Sequence, residues 1–103
     1  MDNIKLKIED IAEINPEAMM ADGFDDAVLG MCIQFGGEPV VAYDYNKCIE
    51  ILKERDGMDR TEAIDYLEFN VLGSYVGLHT PVFIMIWIKK LKNSKEKYDI
   101  YNL

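Results

Sequence analysis

Three groups of side chains in this chain are of types that do chemistry. The first is a set of carboxylates: Asp22, Asp25 and Asp26 in ADGFDDAVLG, with Asp44 in AYDYNKC. Convergent carboxylates can hold Mg²⁺ and stabilise phosphoryl transfer. DGFDD, however, lacks the alternating oxygen ligands, with glycine at the sixth place, of a calcium loop. Turn and cap positions are the plainer use of these acids. The second is His79, the single histidine of the chain. No acid or nucleophile adjoins it in sequence, so neither a triad nor a metal site is indicated, and a structural role near a helix end is expected.

The third group lies in LEFNVLGSYVGLHTP, residues 67–81. Asn70, Gly73, Ser74 and Gly77 recur at i, i+3, i+4 and i+7, which puts them on one face of a helix drawn through them. Each glycine costs a helix about 1 kcal/mol relative to alanine, so something should compensate. Either the face admits close backbone packing, with Asn70 and Ser74 bonding across the contact, or it forms a shallow groove for a ligand. Tyr43 and Tyr45 flank Asp44 and either stack on a ligand or rest at a strand end with their hydroxyls at the surface. The candidate binding residues are therefore Asn70, Gly73, Ser74, Gly77, Tyr43 and Tyr45. No catalytic residue, metal ligand or cofactor is assigned: the glycines of LGMCIQFGGEP match neither GxxxxGK nor GxGxxG.

The elements that must position these residues can be drawn from periodicity. Residues 5–14 carry apolar spacing suited to a short helix, although IKLKI also alternates like a strand, so both remain open. Asn15-Pro16 breaks the chain, because the residue before proline is pushed out of the α region. Residues 27–35 are rich in strand formers, and Gly36-Gly37 reads as a hairpin into a second strand over residues 39–43. Asp44 can cap a helix over residues 45–55 whose buried face is Cys48, Ile49, Ile51 and Leu52, with Gly57 ending it. Asp59 and Glu62 resemble a capping box opening a second helix that runs to about Val76. Along it Ile64, Leu67, Val71 and Tyr75 form one stripe with Phe69, Leu72 and Val76 beside it, an unusually wide apolar arc. Residues 81–88, PVFIMIWI, read as a third strand, too short to cross a bilayer as a helix. The expected fold is α+β: a small antiparallel sheet in β-β-α-α-β order, two helices packed on one face, and a short N-terminal helix or strand.

A chain of 103 residues that is 50% hydrophobic and 29% charged suits one domain with one core, placed at residues 1–88, followed by a basic C-terminal tail at residues 89–103. Net charge is −8 and unevenly spread. Residues 8–46 hold nine acids (Glu9, Asp10, Glu13, Glu17, Asp22, Asp25, Asp26, Glu38, Asp44) and no Lys or Arg, whereas residues 89–97 hold five lysines and one acid. Affinity for phosphate backbones needs clustered basic residues, so the acidic body is not expected to bind nucleic acid directly. Cys32 and Cys48 form no CxxC and fall on apolar patterns, as buried free thiols of a reducing compartment do. The acidic N-terminus lacks the apolar core of a secretion signal, which gives a cytoplasmic expectation with no membrane association.

The strings DGFDDA, YDYNKCIEIL, EAIDYLEFNV and YVGLHTPVF, in that order over residues 22–83, resemble a family of small uncharacterised proteins common in bacteriophage and prophage genomes. The segment after Phe83 extends beyond the family's usual end. The resemblance implies provenance rather than mechanism, since no established activity or cofactor comes with it. With the acidic composition it points to a non-catalytic accessory protein that modulates a host protein or defence pathway, by binding a protein or sequestering a small ligand. The alternatives are a metal-dependent phosphodiester-cleaving enzyme using the clustered aspartates and a structural or assembly protein. High apolar content, with a second helix apolar around most of its girth, also suggests a homodimer or higher homo-oligomer.

Overall fold

The structure, a computed structural model, describes residues 8–87. The basic tail expected at residues 89–103 and the IKLKI alternation at residues 4–8, save its last residue, lie outside the described residues. The fold is α+β, a three-stranded sheet with three α-helices, in the order α1 (Ile8–Ile14), β1 (Val28–Cys32), β2 (Val40–Asp44), α2 (Tyr45–Asp56), α3 (Arg60–Tyr66) and β3 (Val82–Ile84). Of the N-terminal segment, the described part is a helix over Ile8–Ile14, which turns Ile11 into the core.

Local signals set both central helices. The Asp44 side chain accepts the Lys47 N–H at 3.0 Å and starts α2. Gly57 ends it at φ 71°, where its N–H reaches the Lys53 carbonyl; an L-residue there would be strained. Asp59 and Glu62 close a reciprocal capping box at the start of α3, with bonds of 2.8 and 2.9 Å. The apolar spacing of α2 puts Cys48, Ile49 and Leu52 in the core beside Ala63 and Leu67, against Val41 and Tyr43 of β2. Tyr43 is wholly buried, stacks on Phe83 with ring centroids 5.1 Å apart, and accepts the Ala21 N–H at 2.7 Å.

The sheet is mixed rather than antiparallel. Strand order is β1-β2-β3; β1 runs antiparallel to β2, but β3 runs parallel to it, pairing Ala42 with Val82 and Tyr43 with Phe83. Between β2 and β3 the two helices and the segment after them make a crossover, which returns the chain to the end of the sheet where β2 begins. A buried side chain fastens that end: Asn15 Nδ2 donates to the Pro39 carbonyl, just before β2, and meets Nδ1 of His79, just before β3.

Two further expectations are corrected. β1 stops at Cys32 instead of reaching Phe35, because Pro39 offers no N–H to extend the ladder beyond the Cys32–Val40 pair. Ile33 and Phe35 therefore stand in a loop closed by a Gly37 N–H to Gln34 carbonyl bond. The second helix does not continue to Val76. After Tyr66 it widens into a π-turn over Leu67–Val71, tightens into a 3₁₀ turn over Leu72–Ser74, and becomes extended at Tyr75. The Ser74 hydroxyl donates to the Asn70 carbonyl at 2.6 Å, and the Tyr75 hydroxyl reaches the Met20 carbonyl at 3.1 Å. Leu67 and Val71 stay in the core through these turns, and the extended backbone at Tyr75 accompanies its reach to Met20.

Candidate functional site

The break in the helix builds one of the exposed apolar stretches among the described residues, others holding Ile33 and Phe35 in the loop after β1 and Met85 and Trp87 after β3. Between residues 69 and 78 three large apolar side chains face solvent: Phe69 at 78%, Val76 at 76% and Leu78 at 85% exposure. Asn70, Gly73, Ser74 and Gly77 are also exposed, so all four belong to this segment. They do not share one helical face, since Gly77 lies beyond the last turn at φ 102°. Close packing within the protomer is not what Gly73 serves. A Cβ there would meet only the Glu68 carbonyl, at 3.4 Å, and one at Gly77 would meet nothing within 4 Å. Ser74 spends its hydroxyl hydrogen on the Asn70 carbonyl, which leaves the Asn70 side chain as the freer polar group.

Tyr43 and Tyr45 do not join this surface. Both are buried, so neither hydroxyl rests at the surface and neither ring is open to a ligand. Tyr45 donates to Glu68 Oε2 at 2.7 Å, and burial, helped by that carboxylate, pushes its phenol up to about 12. Burial likewise pushes Tyr43 up to about 12 and the Cys48 thiol up to about 12, the nearby Asp44 adding to the latter. A thiol so placed is a core hydrophobe rather than a nucleophile.

His79 has partners that its neighbours in sequence do not reveal. Its Nε2 lies 3.0 Å from Glu17 Oε1 and its Nδ1 lies 3.2 Å from Asn15 Nδ2. Asn15, only 4% exposed, also accepts the Glu17 N–H at 3.0 Å, and the His79 carbonyl accepts the Met19 N–H. A general base needs an open lone pair within reach of its target. Here both ring nitrogens are engaged, so the arrangement is a clamp between segments, in keeping with the structural role expected.

The carboxylates do not converge. Asp44 caps α2, Asp25 and Asp26 lie in a 3₁₀ turn over Asp25–Ala27, and among the described residues no group of three or more His, Cys, Asp or Glu side chains is placed to hold a metal ion. An open depression of about 360 Å³ is lined by Gly23, Asp26, Ile51, Glu54 and Arg55. Its guanidinium already donates to the Gly23 carbonyl at 2.8 Å and to both Asp56 oxygens, and it lies over the Phe24 ring. Glu9, Glu13, Asp22, Asp25, Asp26 and Glu38 are exposed, so the acidic stretch is a real surface property.

Sequence reasoning missed Asn15 and Glu17, which meet His79 only through the fold. It placed Phe69 and Val76 in a wide apolar arc of a helix running to about Val76, and an arc wider than one core can cover was the available signal for their exposure. Among the described residues no helix is long and apolar enough to cross a membrane. Comparison with family models, with curated proteins and with solved structures finds no match.

Proposed function

We propose that this chain is a non-catalytic binding protein, an accessory protein of the bacteriophage type it resembles, which engages a host protein in the host cytoplasm through residues 69–78. The observation that carries this reading is the exposure of Phe69, Val76 and Leu78 within ten residues of an irregular helix end. Apolar surface left in water forgoes about 25 cal/mol per Å², a cost that a partner's pocket recovers. Aromatic side chains in this setting are frequent anchors of interfaces. The exposed Asn70 amide supplies a polar contact at the same place, and the acidic stretch favours a partner with a basic surface while opposing nucleic acid. Self-association is the second reading, favoured because residues 69–78 carry no charge in a chain whose net charge of −8 otherwise repels its own copy.

The test is affinity capture from host lysate with the wild-type chain and with a Phe69→Asp/Leu78→Asp double variant, alongside light scattering of both. The reading predicts a captured host protein that the double variant loses, while its melting temperature is unchanged because both positions are exposed. Capture that survives the double substitution contradicts it. A dimer mass that disappears in the variant, with no captured protein, selects self-association.

A further inference from the structure

We propose that Asp22–Gly23 is a self-modification site, at which the backbone isomerises through a cyclic imide to isoaspartate, while the fold shields the chemically equivalent Asp56–Gly57 step from the same reaction. The chain holds these two Asp-Gly steps, and both aspartates are exposed. Glycine favours the reaction, because no side chain hinders its amide nitrogen and its backbone turns freely. The Gly23 nitrogen bonds to Cγ of Asp22, and one carboxyl oxygen leaves as water together with the amide hydrogen and a proton from solvent. Water then opens the ring. Addition at Cγ restores aspartate, whereas addition at the former backbone carbonyl leaves the chain running through Cβ and Cγ, with the α-carboxylate as the new side chain. One water is lost and one regained, so nothing is oxidised or reduced and the mass is unchanged.

How tightly each step is held separates the two. A turn spans residues 21–24, closed by the Phe24 N–H donating to the Ala21 carbonyl at 3.2 Å, with Gly23 at φ 90° in its third position. The peptide unit inside that turn is unbonded: among the described residues neither the Asp22 carbonyl, the Asp22 carboxylate nor the Gly23 N–H has a hydrogen-bond partner. Bringing the Gly23 nitrogen onto Cγ turns that unit over, a rotation that the common turn types accommodate while keeping the closing bond. Asp56–Gly57 is fastened at each corresponding point. Arg55 Nε and Nη2 donate to the two Asp56 oxygens at 3.0 and 3.1 Å, and the guanidinium holds that carboxyl below its ordinary range, as a carboxylate, the poorer target for a nucleophile. The attacking group, the Gly57 N–H, donates to the Lys53 carbonyl at 3.1 Å and closes the end of α2. Undoing two such bonds before reaction lowers the reactive population by about tenfold.

Isoaspartate adds one backbone atom to a turn anchored on both sides. The N–H of wholly buried Ala21 donates to the Tyr43 hydroxyl oxygen at 2.7 Å, and Phe24, 3% exposed, lies under the Arg55 guanidinium that holds the Gly23 carbonyl at 2.8 Å. The lengthened turn gives up part of this anchoring. None of this rests on the binding role proposed above.

Ageing the native full chain for weeks in heavy-oxygen water at neutral pH, beside the chain unfolded in urea, reads both steps, because each opened imide keeps one solvent oxygen that peptide mass spectrometry locates. The native chain is expected to carry about tenfold more label at Asp22 than at Asp56, with an isobaric isoaspartyl form of the Asp22 peptide, while the unfolded chain labels the two alike. Asp22→Glu, whose longer side chain closes the imide far more slowly, should stay folded and lose the label there. Equal labelling of the two steps in the native chain, labelling confined to Asp56, an Asp22 that labels in urea but not in the native chain, or the same preference for Asp22 in urea overturns the proposal.

Discussion

Asn15 makes three hydrogen bonds from a nearly closed position, tying the stretch after α1 to the starts of β2 and β3. Asn15→Ala leaves the Pro39 carbonyl without its donor and His79 Nδ1 without its partner, and should cost about 1–3 kcal/mol, read as a lower denaturation midpoint at unchanged slope. The same substitution at exposed Asn70 should move stability far less, because its side chain closes no contact across the fold. Buried protons set the alkaline limit. Tyr43, Tyr45 and Cys48 keep theirs up to about 12 in the folded chain, whereas unfolded tyrosine and cysteine release them near 10 and 9. The native state therefore binds more protons than the unfolded state above about pH 9, so stability is fully present below that pH and is lost progressively as pH rises toward 12. Urea titrations across that range, followed by tyrosinate absorbance, check the sign; a midpoint that rises with pH refutes it. Little of this was legible in sequence. Asp44, Asp59 and Glu62 announced themselves because a cap acts over three residues, while Asn15, Glu17 and His79 meet across separations of up to 64 residues.

The helices and strands follow the same division between near and far causes. The start and end of α2 and the start of α3 were readable from Asp44, Gly57 and the Asp59–Glu62 pair, since those signals are local. The end of α3 was not, because it is set by the reach of Tyr75 to Met20 and by the Ser74–Asn70 bond. The glycines of that region separate cleanly by conformation. Gly73→Ala meets only the Glu68 carbonyl, at 3.4 Å, and should range from neutral to about 1 kcal/mol stabilising by stiffening the unfolded chain. Gly57→Ala should cost about 1–2 kcal/mol, because φ 71° is a left-handed conformation that an L-residue resists. Thermal melts should therefore leave Gly57→Ala the less stable of the two variants, by at least about 1 kcal/mol. A Gly73→Ala loss as large as that of Gly57→Ala would return a packing role to Gly73, in an assembly if not in the protomer.

Across the whole molecule, the α+β class was legible because hydrophobic periodicity switches between two and 3.6 along the chain. The direction of β3 was not, since a three-residue strand carries no mark of which way it runs and the crossover alone decides it. Two stretches of the surface contrast in charge: the acidic residues 8–46, which also expose Ile33 and Phe35, and the uncharged residues 69–78 with exposed Phe69, Val76 and Leu78. Charge acting at long range should set the rate at which a basic partner arrives and should weaken with salt; apolar contact should set how long it stays. The most direct measurement is therefore the affinity of the captured host protein for the wild-type chain and for the Phe69→Asp/Leu78→Asp variant, each at low and at high salt. The account predicts that the double substitution weakens binding by about a hundredfold or more at either salt, as loss of an interface anchor does, and that salt lowers the wild-type affinity mainly through slower association. An affinity that the double substitution leaves unchanged would contradict it.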